Sequence, residues 1–175
     1  FELDLPEVMK VKRSNINKKL GELPSNVSLV PIDFSSQDLG EELKKAGYDL
    51  SLKTLFIWEG VTQYISHEAI DNTLRYVAQA AAGSRIVFTY VLESFINGSY
   101  VPAGLGSLYK FVLKKKNPLW LSGFDPAEMN EYLSKLSLSI IEDIGNKEFM
   151  ERYIKPRGRD LTVMDIERTV LAEVK

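Results

Sequence analysis

Asp4 closes the alternating segment Phe-Glu-Leu-Asp, Asp33 closes Val-Pro-Ile-Asp, and Glu59 follows Leu-Phe-Ile-Trp, so each acid stands at the end of a short strand-like segment. A carboxylate accepts hydrogen bonds and attracts cations. At the carboxyl ends of strands, where α/β sheets bind ligands, such acids suit ribose hydroxyls (Asp4), an adenine amino group (Asp33, with Phe34 lining the base) and an ammonium (Glu59). Gly60 adds a flexible backbone point beside Glu59. Each acid also has a structural alternative. Asp4 can stabilise the dipole of the helix that follows it by about 0.3–1 kcal/mol. Asp33 can do the same, with Ser35 and Ser36 competing for the cap. Glu59 has the weakest alternative. A strand expected to be buried on both faces leads into it, and a buried carboxylate without a partner is costly. That predicts a protein cation or a ligand ammonium beside it.

The other reactive side chains carry less. Tyr64 either walls the same crevice or packs at a helix entry. His67 lies in a helical first turn after Ser66 and reads as a surface residue, and Lys12 and Arg13 read as solvent-facing. Arg157-Gly158-Arg159 is a basic loop that either binds an anion or is simply solvated.

The segments that must position the three acids alternate in type. Strands are predicted over 1–5, 27–32, 55–58 and 85–92, where β-branched and aromatic residues concentrate. Helices are predicted over 7–20 (Val8, Val11, Ile16 and Leu20 apolar, Gly21 as the stop), from Ser35 or Ser36 to Ala46, and from Ser66 to Ala82. This β-α-β-α-β-α-β order is that of a parallel sheet with helices on both faces. A helix from Asp125-Pro126, a strand over 138–144, a helical turn over 147–154 and a last strand over 168–174 follow. A short connection between the last two strands predicts an antiparallel hairpin appended to the sheet.

Residues 94–123 break the alternation. Phe95, Tyr100, Leu105, Leu108, Tyr109, Phe111, Leu119 and Trp120 are interrupted by Gly98, Pro102, Gly104, Gly106 and Pro118. This composition fits an apolar lid or substrate pocket, and equally a helix pair covering the sheet edge. The first reading makes Tyr64, Tyr100 and Tyr109 pocket walls.

Composition narrows the chemistry. With 175 residues, 45% hydrophobic and 26% charged, the chain can bury a sizeable core. A net charge of −2 gives no argument for nucleic acid or an anionic membrane. There is no cysteine and one histidine, which removes disulfides, thiolate chemistry and a Cys- or His-built metal site. No apolar run approaches the roughly 20 residues that cross a bilayer, and no signal peptide is visible, so a cytoplasmic location is expected.

Phe-Glu-Leu-Asp-Leu-Pro-Glu-Val with Lys12, Val-Pro-Ile-Asp-Phe at 30–34 and Trp-Glu-Gly-Val-Thr-Gln-Tyr at 58–64 resemble the leucine carboxyl methyltransferase-like, S-adenosylmethionine-dependent O-methyltransferases. The Glu-Arg-Tyr-Ile-Lys-Pro stretch at 151–156 is similar to that family's C-terminal part. The resemblance implies a class I methyltransferase (Rossmann-like) α/β fold, mostly parallel, with its last strand antiparallel. It implies S-adenosylmethionine as cofactor, with Asp4 on the ribose, Asp33 and Phe34 at the adenine, and Glu59 and Gly60 near the methionine portion. It implies methyl transfer to a carboxylate or hydroxyl of a small apolar acceptor, and no metal.

The family's first strand and glycine-rich loop would precede Phe1. On that reading the chain is a single incomplete domain, with unpaired strand edges through which it could self-associate, and alone it binds S-adenosylmethionine weakly or not at all and is inactive. Two other functions stay open. A non-catalytic scaffold retains the fold without the chemistry. A nicotinamide oxidoreductase shares the acid at a strand end, but no Tyr-x-x-x-Lys pair is present.

Overall fold

Glu2–Asp4 (β1) and Leu29–Pro31 (β2) pair in parallel, Leu3 opposite Val30, and the crossover between them is the helix Pro6–Leu20 (α1). Pro6 supplies a pre-set φ at the start of α1, where a missing N–H costs nothing. Gly21 stops it at φ 86°, its N–H donating to the Asn17 carbonyl. Met9 is the buried residue of α1, whereas Val8, Val11 and Leu20 are exposed, and Lys12 pairs with Glu2 of β1 instead of facing solvent alone.

The computed structural model describes residues 1–34 and 36–175 and resolves into two compact units, Phe1–Ser51 and Leu52–Lys175. The first contains β1, α1, β2 and the helix Leu39–Lys45 (α2). Asp38, not a serine, caps α2, its Oδ1 accepting from the Glu41 N–H at 2.8 Å. Ser35 lies outside the described residues, and the Ser36 N–H donates to the Asp33 carbonyl in the turn before the helix. An aspartate cap adds a negative charge at the positive end of the helix, which a serine does not.

The second unit is built on a four-stranded sheet in the order Leu55–Trp58 (β3), Arg85–Val91 (β4), Glu167–Val174 (β6), Leu138–Ile144 (β5). β3 and β4 are parallel, and β6 runs antiparallel to both its neighbours. The last strand is therefore antiparallel as predicted, but it is inserted between β4 and β5 and not appended outside them. Nor is the connection short: it contains the helix Asn146–Phe149 (α7), a π turn at Met150–Ile154 and a 3-10 turn at Lys155–Arg157.

Helices His67–Val77 (α3) and Met129–Lys135 (α6) bury Ile70, Leu74, Val77, Met129 and Leu133 against Ile86, Phe88, Tyr90, Val170 and Ala172. Ser66 caps α3, its Oγ accepting from the Ala69 N–H. The helix ends at Val77, well before Ala82, because the chain turns back through Gly83 (φ 77°) to enter β4.

The period of two along β3 sends Phe56 and Trp58 to this core and Leu55 and Ile57 to the other face, where they are 59% and 71% exposed. The expectation of a strand buried on both faces is thus corrected within this unit. Among the described residues no helix is long and apolar enough to cross a membrane.

Two phenols lock the core of the second unit. The Tyr132 hydroxyl donates to Asp71 Oδ1 at 2.6 Å, tying α6 to α3, and the Tyr90 hydroxyl donates to Asp143 Oδ2 at 2.8 Å. Burial first, then the neighbouring carboxylate, pushes both above the usual tyrosine range. In the unfolded chain a tyrosine ionises near about 10, so the unfolded state loses protons that the folded state keeps. Stability should therefore be complete below about pH 10 and fall above it, by about 1.4 kcal/mol per pH unit for the fully buried Tyr90. Spectrophotometric titration of the eight tyrosines checks this. Two are expected to ionise only as the circular dichroism signal of the fold is lost.

Candidate functional site

β1 and β2 are adjacent and parallel, so Asp4 at the end of one and Asp33, which follows the other, emerge side by side at the carboxyl edge of the first unit. The Ile32 N–H donates to the Asp4 carbonyl at 2.9 Å and extends that pairing toward Asp33. Asp4 Oδ1 accepts from the Leu5 N–H at 2.7 Å, ahead of α1, whose N-terminus has no side-chain cap. The backbone of Asp33 is pinned on both sides. Its N–H donates to Gln37 Oε1 at 2.9 Å, and its carbonyl accepts from the N–H groups of Ser36 and Gln37. Phe34, next in the chain, is half-buried.

In the second unit Glu59 follows β3 directly. It is exposed and makes no hydrogen bond or ion pair among the described residues. The partner predicted for a buried Glu59 is thus absent for a simple reason: the carboxylate is solvated and has no desolvation penalty to offset. Gly60 follows at φ 69°, a conformation glycine adopts freely, and its N–H donates to Thr89 Oγ1 at 2.8 Å. Thr62 Oγ1 donates in turn to the Thr89 carbonyl at 2.8 Å. The stretch after β3 is therefore clamped to the carboxyl end of β4, which fixes where Glu59 leaves the sheet.

Residues 93–124 return to the same edge. The helix Glu93–Ile96 (α4) starts directly after β4, and Gly106–Leu113 (α5) forms the longer part. Val91, Phe95, Val112, Trp120 and Ile166 make a second, smaller core, with Tyr109 packed on it. The segment closes through the Leu121 N–H donating to the Gln63 carbonyl at 2.7 Å and Ser122 Oγ donating to the Ile65 carbonyl at 2.7 Å.

Of the three predicted wall tyrosines, the structure links two. Tyr64, 51% exposed, meets Trp120 edge-on at 6.4 Å; Trp120 lies 5.9 Å from Phe95, and Phe95 5.5 Å from Tyr109. Tyr100 stands apart from this chain of rings, its N–H donating to the Ser94 carbonyl. His67 is exposed as predicted, with its ring 4.8 Å from that of Phe124.

Gly123 sets the closure. A Cβ there would lie 2.7 Å from Ile96 Cγ1, 2.9 Å from Glu93 Cα and 3.0 Å from Glu93 N. Two of these are backbone atoms of α4, held by the Glu93 N–H donating to the Phe124 carbonyl at 3.0 Å. Gly123→Ala should cost about 2 kcal/mol, as overpacking does when the neighbour is main chain. Limited proteolysis would read it as faster cleavage within 94–123.

Sequence reasoning missed the cluster at the far side of this edge. Tyr90 on β4 and Arg168 on β6 are cross-strand partners, and Asp143 on β5 accepts from both. Arg168 Nε donates to Asp143 Oδ1 at 2.9 Å and the guanidinium also to the Asp143 carbonyl at 3.0 Å. An aspartate inside a predicted strand was the available signal, since aspartate is depleted there. Among the described residues no group of three or more His, Asp or Glu side chains could hold a metal ion.

The family model for leucine carboxyl methyltransferase matches residues 1–78. A putative S-adenosyl-L-methionine-dependent methyltransferase of Mycolicibacterium gilvum is 38% identical over 88 residues, 49% of this chain and 28% of that protein. One from Streptomyces coelicolor is 28% identical over 128 residues, 70% of this chain and 44% of that protein. The chain thus spans less than half the length of these relatives. Among solved structures, the magnesium protoporphyrin IX methyltransferase of Synechocystis, with S-adenosylhomocysteine bound, superposes with a TM-score of 0.57 at 12% identity, over 99% of this chain and 63% of that one. The resemblance read from the motifs is thereby matched: residues 1–78 fit the leucine carboxyl methyltransferase model, and the chain has the fold of the class I S-adenosylmethionine-dependent methyltransferases.

Proposed function

We propose that the protein is an S-adenosylmethionine-dependent O-methyltransferase acting on a carboxylate or hydroxyl of a small apolar acceptor. The observation that carries this is the pair Asp4 and Asp33 at the ends of adjacent parallel strands, inside the segment that matches the family. The donor set fits the cofactor. Asp4 accepts from the ribose hydroxyls, Asp33 accepts from the adenine amino group with Phe34 against the base, and the solvated, unpaired Glu59 beside Gly60 suits the methionine ammonium. When bound, the cofactor supplies an electrophilic methyl group on a sulfonium.

The protein's part is to hold the acceptor oxygen in line and exclude water, and alignment of that kind supplies most of the rate in such transfers. Residues 94–123 serve as the acceptor's cover, with Tyr64 and Tyr109, linked through Trp120 and Phe95, as its walls. Because the chain spans 28% and 44% of the length of the two relatives, the transfer is assigned to the whole protein.

Photocrosslinking with an azido-adenine analogue of S-adenosylmethionine tests the reading, since it records weak occupancy as well as tight. Labelled peptides are expected around Asp4, Asp33–Phe34 and Trp58–Gly60. Labelling elsewhere overturns the residue assignment. No displaceable labelling at all favours a scaffold that keeps the fold without the chemistry.

A further inference from the structure

We propose that the outer face of α5 and the segment that follows it dock on an anionic lipid layer, which the protein touches peripherally and does not cross. From Ser94 to Phe124 the chain contains no Asp or Glu and four lysines, so this segment carries +4 in a chain whose net charge is −2. The overall charge hides the separation. A charged layer responds to the face presented to it, because charges beyond about 8 Å are largely screened at physiological salt.

The helix period places the groups on one side. Leu105, Leu108, Tyr109 and Val112 face the smaller core, so Lys110, Phe111 and Lys114 fall on the opposite side of α5. Lys115 Nζ lies 4.0 Å from the centre of the Phe111 ring, which brings it to the same side. The Leu119 N–H donates to the Val112 carbonyl at 2.8 Å, so the returning chain runs along α5 and then on to the exposed Leu121. Phe111 is 57% exposed, Leu119 42% and Leu121 51%. Lys110, Lys114, Lys115 and Lys116 are all exposed and make no ion pair among the described residues.

That mixture selects the partner. An apolar protein interface would have to bury successive ammonium groups with no carboxylate of this segment beside them, which is costly. An acidic protein would pair the lysines but gain little from the exposed phenylalanine and leucines. An anionic lipid layer meets both. Its headgroups supply the counter-charge, and the boundary below them takes apolar side chains while lysine stems reach back to the surface. Docking there does not depend on the transfer chemistry; on the methyltransferase reading it also sets the acceptor's cover against the phase in which apolar molecules concentrate.

Flotation of the chain through a density gradient tests this, since aggregated protein sinks and is not counted. The vesicles are phosphatidylcholine alone, or phosphatidylcholine with an equal amount of phosphatidylglycerol. The chain is expected to float with the mixed vesicles and not with phosphatidylcholine alone, and the floating fraction should fall as salt is raised. Replacing Lys114, Lys115 and Lys116 together by glutamine should weaken binding about a hundredfold, at about fivefold per lysine. Phe111→Ser with Leu121→Ser should weaken it about a hundredfold as well, at about tenfold per side chain withdrawn from the layer. Lys18→Gln with Lys19→Gln, in the last turn of α1, is the control and should float as the parent does.

No flotation, equal flotation with the two vesicles, or a glutamine triple variant that floats as the parent does each overturns the proposal. So does a control that loses as much as the triple variant. A serine variant that floats as the parent does also overturns it, because the face then reads charge alone, as a site for an acidic protein would. If circular dichroism shows that the serine variant does not fold, the glutamine variant, altered only at exposed lysines, decides together with the salt response.

Discussion

Replacing Asp143 with alanine is expected to lower the stability of the fold by about 3 kcal/mol, more than any other single change in the sheet's polar groups. The side chain is 14% exposed and accepts from two partners, Tyr90 OH at 2.8 Å and Arg168 Nε at 2.9 Å. Its removal leaves a phenol hydroxyl unpaired in the core and a guanidinium, 25% exposed, without its counter-charge. Breaking a fully buried pair from one side costs about 3–5 kcal/mol, and the partial exposure of Arg168 moves this case to the low end. Tyr90→Phe removes one neutral donor and leaves the ion pair in place, so it should cost about 1 kcal/mol. The double variant should be less destabilised than the sum, because each single change already removes the Tyr90–Asp143 bond. Urea midpoints at an unchanged slope measure all three. Equal costs for Asp143→Ala and Tyr90→Phe would mean that Arg168 gains nothing from Asp143.

That cluster also marks where the sequence stopped being readable. Strands and helices came from local signals, and those signals were strong: Pro6 and Gly21 bracket α1, Ser66 caps α3, and the β-branched run at 85–91 is β4. The Tyr90–Asp143–Arg168 contact depends instead on a register. Ile140 faces Ala172, but after an irregularity at Ile141 it is Glu142 that faces Leu171 and Asp143 that faces Val170. Without that extra residue Asp143 would stand opposite Thr169, and its side chain would point to the other face of the sheet. Such a bulge is a property of the pairing and leaves no mark in a period-two pattern.

The candidate site divides the same way. Asp4, Asp33 and Glu59 were legible because each ends a strand-like segment, and the structure puts each at or just beyond a strand's carboxyl end. What was not legible is the exposure of Glu59 and the burial of Gln63, since Glu-Gly and Thr-Gln-Tyr look equally polar in sequence. Burial there is decided by the return of Leu121 and Ser122, nearly sixty residues on.

The exposure of Glu59 leads to the second large effect. Glu59→Gln keeps the side chain's size and removes its charge, so it tests whether this carboxylate meets the cofactor's ammonium. A hydrogen bond to a charged group is worth about 1.5–3 kcal/mol, and solvent screening at an exposed position holds the loss to the lower figure, about tenfold in affinity. Competition against the photolabel measures it with two ligands. S-adenosylhomocysteine, which carries the amino-acid portion, should lose about tenfold, and the loss should shrink as salt is raised. Methylthioadenosine lacks that portion and should compete with Glu59→Gln as it does with the parent. Asp4→Asn should behave oppositely. An amide oxygen still accepts from ribose hydroxyls, so the loss should be small, similar for both ligands and insensitive to salt. Equal losses for the two ligands in Glu59→Gln would remove the ammonium contact and place Glu59 among residues that act only through the local fold. The charge-dependent difference therefore separates a binding carboxylate from a strand terminus that happens to be acidic.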